Sequence, residues 1–155
     1  MNAETDHGLR STAAIAGHPI HPLLVVFPIA FLIGAFLSDL AFYGTSDSFW
    51  ARASEWLVGA GLVGGAVAAV AGFIDFIASE RIRSLSIVWY HFLGNAVALV
   101  LSAISLYLRV SGEAVAVTGT ELVLSILVVL IFLVTGWLGG ELVFRYGVGR
   151  APIEP

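Results

Sequence analysis

The sequence predicts an all-α, polytopic membrane protein: four transmembrane helices in an up-down-up-down bundle. Three observations carry that reading. The 155 residues are 59% hydrophobic and 12% charged, with a mean hydropathy of +0.97, against about 25% charged in soluble domains. Four apolar stretches each reach or exceed the ~20 residues that cross a hydrocarbon core about 30 Å thick. The links between them are short and rich in turn residues, which makes sequential helices antiparallel neighbours.

The expected spans run over about 20–43, 56–78, 87–108 and 122–144. They make up one transmembrane domain, 18–149, between a polar tail at 1–17 and a C-terminal tail at 150–155. Backbone groups in lipid must be paired internally, so helices are expected, and the ten-residue alternation of a barrel is absent. Gly44-Thr45-Ser46-Asp47-Ser48 closes the first span, and Ser54-Glu55 reads as the start signal of the second. Ser79-Glu80-Arg81-Ile82-Arg83-Ser84 separates the second and third. Ser111-Gly112-Glu113 and Thr118-Gly119-Thr120 bracket the last loop. The tail Met1–Gly17 lacks the apolar core of a secretory signal, so the first span is expected to remain in the membrane.

All seven basic residues are Arg. Arg10, Arg81, Arg83, Arg145 and Arg150 fall on the side of the termini, and Arg52 and Arg109 on the other. The positive-inside rule therefore puts both termini in the cytoplasm, as expected of a bacterial inner-membrane protein. Tyr43, Trp50, Trp56 and Tyr107 then mark the outer interface, and Trp89, Tyr90, Trp137 and Tyr146 the inner. With no cysteine, disulfides and thiolate chemistry are excluded, and the absence of a basic stripe speaks against nucleic acid. His7, in the polar tail, reads as a solvated residue.

Ionisable residues inside spans are costly and mark candidate sites. His18 and His21 stand in Gly17-His18-Pro19-Ile20-His21-Pro22 at the entrance to span one. Asp75 lies about one turn from the end of span two, His91 one turn into span three with Asn95 at i+4, and Glu141 one turn before the end of span four. All collect at one depth. Both hairpins start with His and close with a carboxylate, through Gly72-Phe73-Ile74-Asp75 and Gly139-Gly140-Glu141, at similar separations. Two pseudo-repeated hairpins related by an axis along the membrane normal would account for this.

Each histidine of the first pair precedes a proline, a position pushed toward extended geometry, so both are expected on a stiff entrance segment. Pro28 should remove a helical hydrogen bond and kink span one. Gly61, Gly65, Ala68, Gly72 and Asp75 form a small-residue stripe on span two. His91, Asn95, Ala98, Ser102 and Ser105 form a mildly polar one on span three. These stripes permit either close helix packing or a groove for a flat cofactor.

Three functional readings follow. In the first, His18, His21, Asp75, His91 and Glu141 hold Fe, Zn or Mn, or His21 and His91 are axial ligands of haem b, with Asn95, Gly72 and Gly140 in support. Such a centre would serve membrane redox chemistry with a redox partner or in a homo-oligomer. In the second, the same groups pair with one another and lock a structural or assembly subunit. The third is a proton relay or small transporter, for which the outer half offers Asp39, Ser102 and Ser105. Hydrolase and phosphate-loop motifs are absent, and Gly147-Val148-Gly149 is too short to be a phosphate loop.

Gly17-His18-Pro19-Ile20-His21-Pro22 with Phe27-Pro28-Ile29 resembles the opening signature of a prokaryotic membrane family catalogued as domain of unknown function 2231. Asp75 after Gly72, His91 with Asn95, and Gly139-Gly140-Glu141 before Tyr146-Gly147-Val148-Gly149 are similar to its later signatures. The resemblance covers Gly17 to Gly149 and implies four transmembrane helices but no activity. Some relatives are joined to Rieske-type iron–sulfur domains, which associates the family with membrane redox chemistry. Many carry His where this chain has Tyr146.

Overall fold

A computed structural model describes residue 9 and residues 11–112 and 115–149. His7, Arg10, Glu113 and Arg150, each used in the sequence reading, lie outside the described residues.

Four helices long and apolar enough to cross a membrane stand over Ile20–Thr45, Ser48–Ala78, Ser86–Ser111 and Gly119–Phe144. The first divides into α1 (Ile20–Leu24) and α2 (Val26–Thr45); α3 (Ser48–Ala78), a short α4 (Glu80–Arg83), α5 (Ser86–Ser111) and α6 (Gly119–Phe144) follow. The break at Val25 has a cause in the sequence. Pro28 offers no N–H to the carbonyl of Leu24, and its ring crowds that carbonyl. The proline instead rests against Gly64 and Gly65 of α3, where a Cβ would come within 3.5 and 3.6 Å of the ring.

Local capping chemistry sets the ends. α2 stops at Ser46, which takes the left-handed conformation at φ 56°. Asp47 then caps α3, its side chain accepting from Phe49 N at 2.9 Å. The second span therefore begins at Ser48, and the Ser54-Glu55 start signal is a misreading: Asp47-Ser48 caps first and Ser54 lies in the helix interior. α6 opens with a capping box between Thr118 and Glu121.

The helices pack as two hairpins, α2 on α3 and α5 on α6, with α2 also against α6 and α3 against α5. That cross-pairing is what a twofold between hairpins requires, and it leaves α2 and α5 on a diagonal of the bundle. Leu32, Ala35, Val58 and Val128 form the central core. Outward faces carry large apolar side chains, among them Val63, Val100, Leu133 and Trp137. Such a surface is suited to lipid rather than water.

Ahead of α1, β1 (Ala14–Ile15) pairs antiparallel with β2 (His18–Pro19). Ala16 and Gly17 turn the strap at φ 49° and 79°, the positive values that a tight hairpin demands. Leu9 pairs with the chain's other end: its N–H donates to Gly147 O at 3.0 Å, and its carbonyl accepts from Gly149 N at 2.7 Å. Gly147 and Gly149 adopt φ 66° and 78° there, so this glycine run serves a backbone turn.

Candidate functional site: two polar centres on the bundle diagonal

His21 and His91 meet at the end of the bundle that carries the described ends of the chain, with ring centroids 6.2 Å apart and planes at 83°. Each ring is held by the second helix of its own hairpin. His21 Nδ1 lies 2.8 Å from Ala68 O, and His91 Nδ1 lies 2.9 Å from Thr135 O. A carbonyl only accepts, so each Nδ1 carries a proton, and in a neutral imidazole that leaves the lone pair on Nε2.

Glycines make the approach possible. A Cβ on Gly72 would sit 2.8 Å from His21 Nδ1, and one on Gly139 would sit 3.1 Å from His91 Cε1. Ala68 with Gly72, and Thr135 with Gly139, are each one helical turn apart. The two hairpins thus repeat one device: an imidazole laid over a glycine, bonded to the carbonyl a turn earlier. Asn95 flanks the pair, donating from Nδ2 to His91 O at 2.7 Å while Nδ2 lies 3.4 Å from His91 Nε2. Thr135 Oγ1 donates to Asn95 Oδ1 at 3.3 Å.

The other expected site residues stand elsewhere. Asp75 faces the strap: Oδ1 accepts from Thr12 N at 2.6 Å and Ala13 N at 2.8 Å, and Oδ2 accepts from Ser11 Oγ at 2.7 Å. Glu141 makes an i,i+4 contact with Arg145 at 3.4 Å. His18 is exposed on β2, its Nδ1 3.0 Å from Ala16 O. His21 belongs to the helical turn α1 rather than to an extended segment. Gly140 has nothing within 4 Å, so its neighbour Gly139 is the supporting glycine. Among the described residues no three His, Asp or Glu come together to hold a metal ion. The small-residue stripe on α3 is filled by side chains, Leu32 on Gly61, Leu99 on Gly65 and His21 on Gly72.

At the opposite end a second polar centre is buried that the sequence reading missed. Arg109 donates to Asp39 through both Nη atoms, at 2.9 and 2.8 Å, and the two side chains are 2% and 0% exposed. Ser54 Oγ donates to Asp39 Oδ1 at 2.5 Å and Ser125 Oγ to Oδ2 at 2.6 Å. Ser105 Oγ accepts from Arg109 Nε at 3.3 Å. Arg109, counted above among the charges of the side opposite the termini, is therefore a core residue of α5, and Asp39 is buried beside it.

A signal for this pair was present. Asp39 follows His21 by eighteen residues, and Arg109 follows His91 by eighteen. At 3.6 residues per turn that is about five full turns, which returns each pair to one helical face about 27 Å apart. That separation is close to the ~30 Å thickness of a hydrocarbon core.

A family model described as a predicted membrane protein, domain of unknown function 2231, matches residues 17–152. The chain belongs to this family. The matched region of this DUF2231 protein takes in both polar centres and all four spans. No curated protein and no solved structure matches the chain.

Proposed function

We propose that this DUF2231 protein is a membrane metalloprotein in which His21 and His91 are the ligand pair. The observation that carries this is the anchoring of both Nδ1–H groups on backbone carbonyls. Metal-ligating histidines almost always donate their second ring nitrogen in this way, which fixes tautomer and orientation and leaves Nε2 to bind. A bound centre, haem iron or a bare iron or manganese ion, would supply one-electron chemistry in exchange with a membrane redox partner. The protein's own part is to fix two imidazoles in a glycine-lined crossing of four helices.

The reading places that centre, and both termini, on the cytoplasmic side of a bacterial inner membrane. Arg109 is neutralised by Asp39 inside the bundle, so Arg52 alone remains to oppose the five Arg of the terminal side. Metal and haem analysis of the detergent-purified protein tests the function. Wild type is expected to hold a near-stoichiometric centre that His21→Ala and His91→Ala each lose. Full occupancy in either variant would contradict the proposal.

A structural or assembly role is the second reading, and one observation favours it. Asp39, Asp75, Glu141 and Arg109 all have partners that account for them without a ligand. It predicts no bound centre in any of the three samples.

A further inference from the structure

The Asp39–Arg109 centre borders a cavity of about 170 Å³ at the end of the bundle away from the histidine pair. At ~30 Å³ for each water, that is room for about five. Its charged lining is Arg52 and Glu55, near the start of α3, and Arg109, near the end of α5.

These charges are not used up by one another. Arg52 and Glu55 stand three residues apart on α3, yet no ion pair joins them among the described residues. Arg109 has five N–H donors. Asp39, Ser105 and Ser125 take at most four of them, and one on Nη1 has no partner among the described residues. That donor belongs to a side chain only 2% exposed which nonetheless lines the cavity. The helix dipoles add the same polarity, since the cavity meets the positive end of α3 and the negative end of α5. One cavity thus offers two cations to an anionic group and a carboxylate to an ammonium group, and a zwitterion satisfies both.

The surroundings favour a lipid over a free solute. Trp56, next to Glu55, and Tyr107, two residues before Arg109, are exposed, as aromatic side chains are at a membrane interface. Val110 lines the cavity and is also part of the exposed apolar surface, so an acyl chain can leave the cavity along it.

We infer that this cavity is a headgroup site for a zwitterionic aminophospholipid, with the phosphate at Arg52 and Arg109 and the ammonium at Glu55. Phosphatidylethanolamine, phosphatidylcholine and phosphatidylglycerol of matched chains, each titrated into the intact protein in detergent and read by tryptophan-fluorescence melting, test this without any variant. Phosphatidylethanolamine is expected to raise the melting temperature most, because choline has no N–H for Glu55 and glycerol no cation. Glu55→Gln should abolish its advantage over phosphatidylcholine, and Arg52→Gln should reduce the shift from all three lipids. Arg52 is exposed and Glu55 half-buried, and neither belongs to the buried ion pair, so both variants are expected to fold. Equal shifts from the three lipids, or an ethanolamine preference that survives Glu55→Gln, would overturn the inference. An equal shift from soluble phosphoethanolamine would also overturn it, because the occupant would then be a free zwitterion.

Discussion

A carboxylate with no exposed surface is tolerated in a membrane bundle only when each lone pair is met, and Asp39 meets that condition with Arg109, Ser54 and Ser125. Removing one partner leaves the other charged and buried. Arg109→Ala is therefore expected to cost about 3–5 kcal/mol, read as a large fall in melting temperature in detergent; an unchanged melt would mean that Asp39 is not buried as a charge. The glycines make a finer test. Gly72→Ala puts a Cβ 2.8 Å from His21 Nδ1 and should cost about 1–3 kcal/mol by overpacking, with loss of the bound centre. Gly140→Ala meets open space and should stay within about 0.5 kcal/mol of wild type. If the two variants melt alike, the glycine-and-imidazole device is not what positions the ring. At this scale the sequence was only partly legible. The structure brings His21, His91 and Asn95 together, and they drew notice in the sequence because polar residues at span ends are rare. Asp75 and Glu141 shared their depth without sharing their contacts, since depth along a helix says nothing about azimuth.

Among elements, the strap shows what hydropathy cannot reveal. Residues 11–19 have no apolar period, and the carboxylate of Asp75 ties them to α3 by three hydrogen bonds. Asp75 stands one turn beyond Gly72, so the strap lies beside the helix turn that carries His21's ring. Asp75→Ala should free this segment, and limited thermolysin digestion should then cut at Ile15, which is 70% exposed on the hairpin. Equal protection in wild type and variant would show that Leu9 and the glycine turn hold the strap without Asp75. The spans themselves were legible from apolar length. Their ends were less so where capping decides them: Asp47 starts α3 well before the hydropathy rises, and Arg109 prolongs α5 after it falls, because a buried partner neutralises the charge.

For the whole molecule, two like hairpins cross so that matched positions on α1–α2 and α5 meet on the diagonal. His21 faces His91 at one end, and Asp39 faces Arg109 at the other. The expected repeat was tied to the His-to-carboxylate separations, whereas the structure repeats the His–carbonyl–glycine unit and the eighteen-residue step. Exchanging the charges tests that symmetry. Asp39→Arg and Arg109→Asp alone each bury two like charges and should prevent a folded bundle, while the double variant should recover most of the stability lost. Failure of the double variant would mean that the surrounding serines, and not the diagonal, define the pair.

The most direct measurement of the central claim is nitrogen-15 NMR of histidine-labelled protein in detergent, with assignments from His18→Ala, His21→Ala and His91→Ala. The account predicts that His21 and His91 are both protonated at Nδ1, with an unprotonated Nε2 whose signal differs between metal-loaded and metal-stripped protein. A proton on Nε2 of either ring would contradict it, because that nitrogen could then accept no metal.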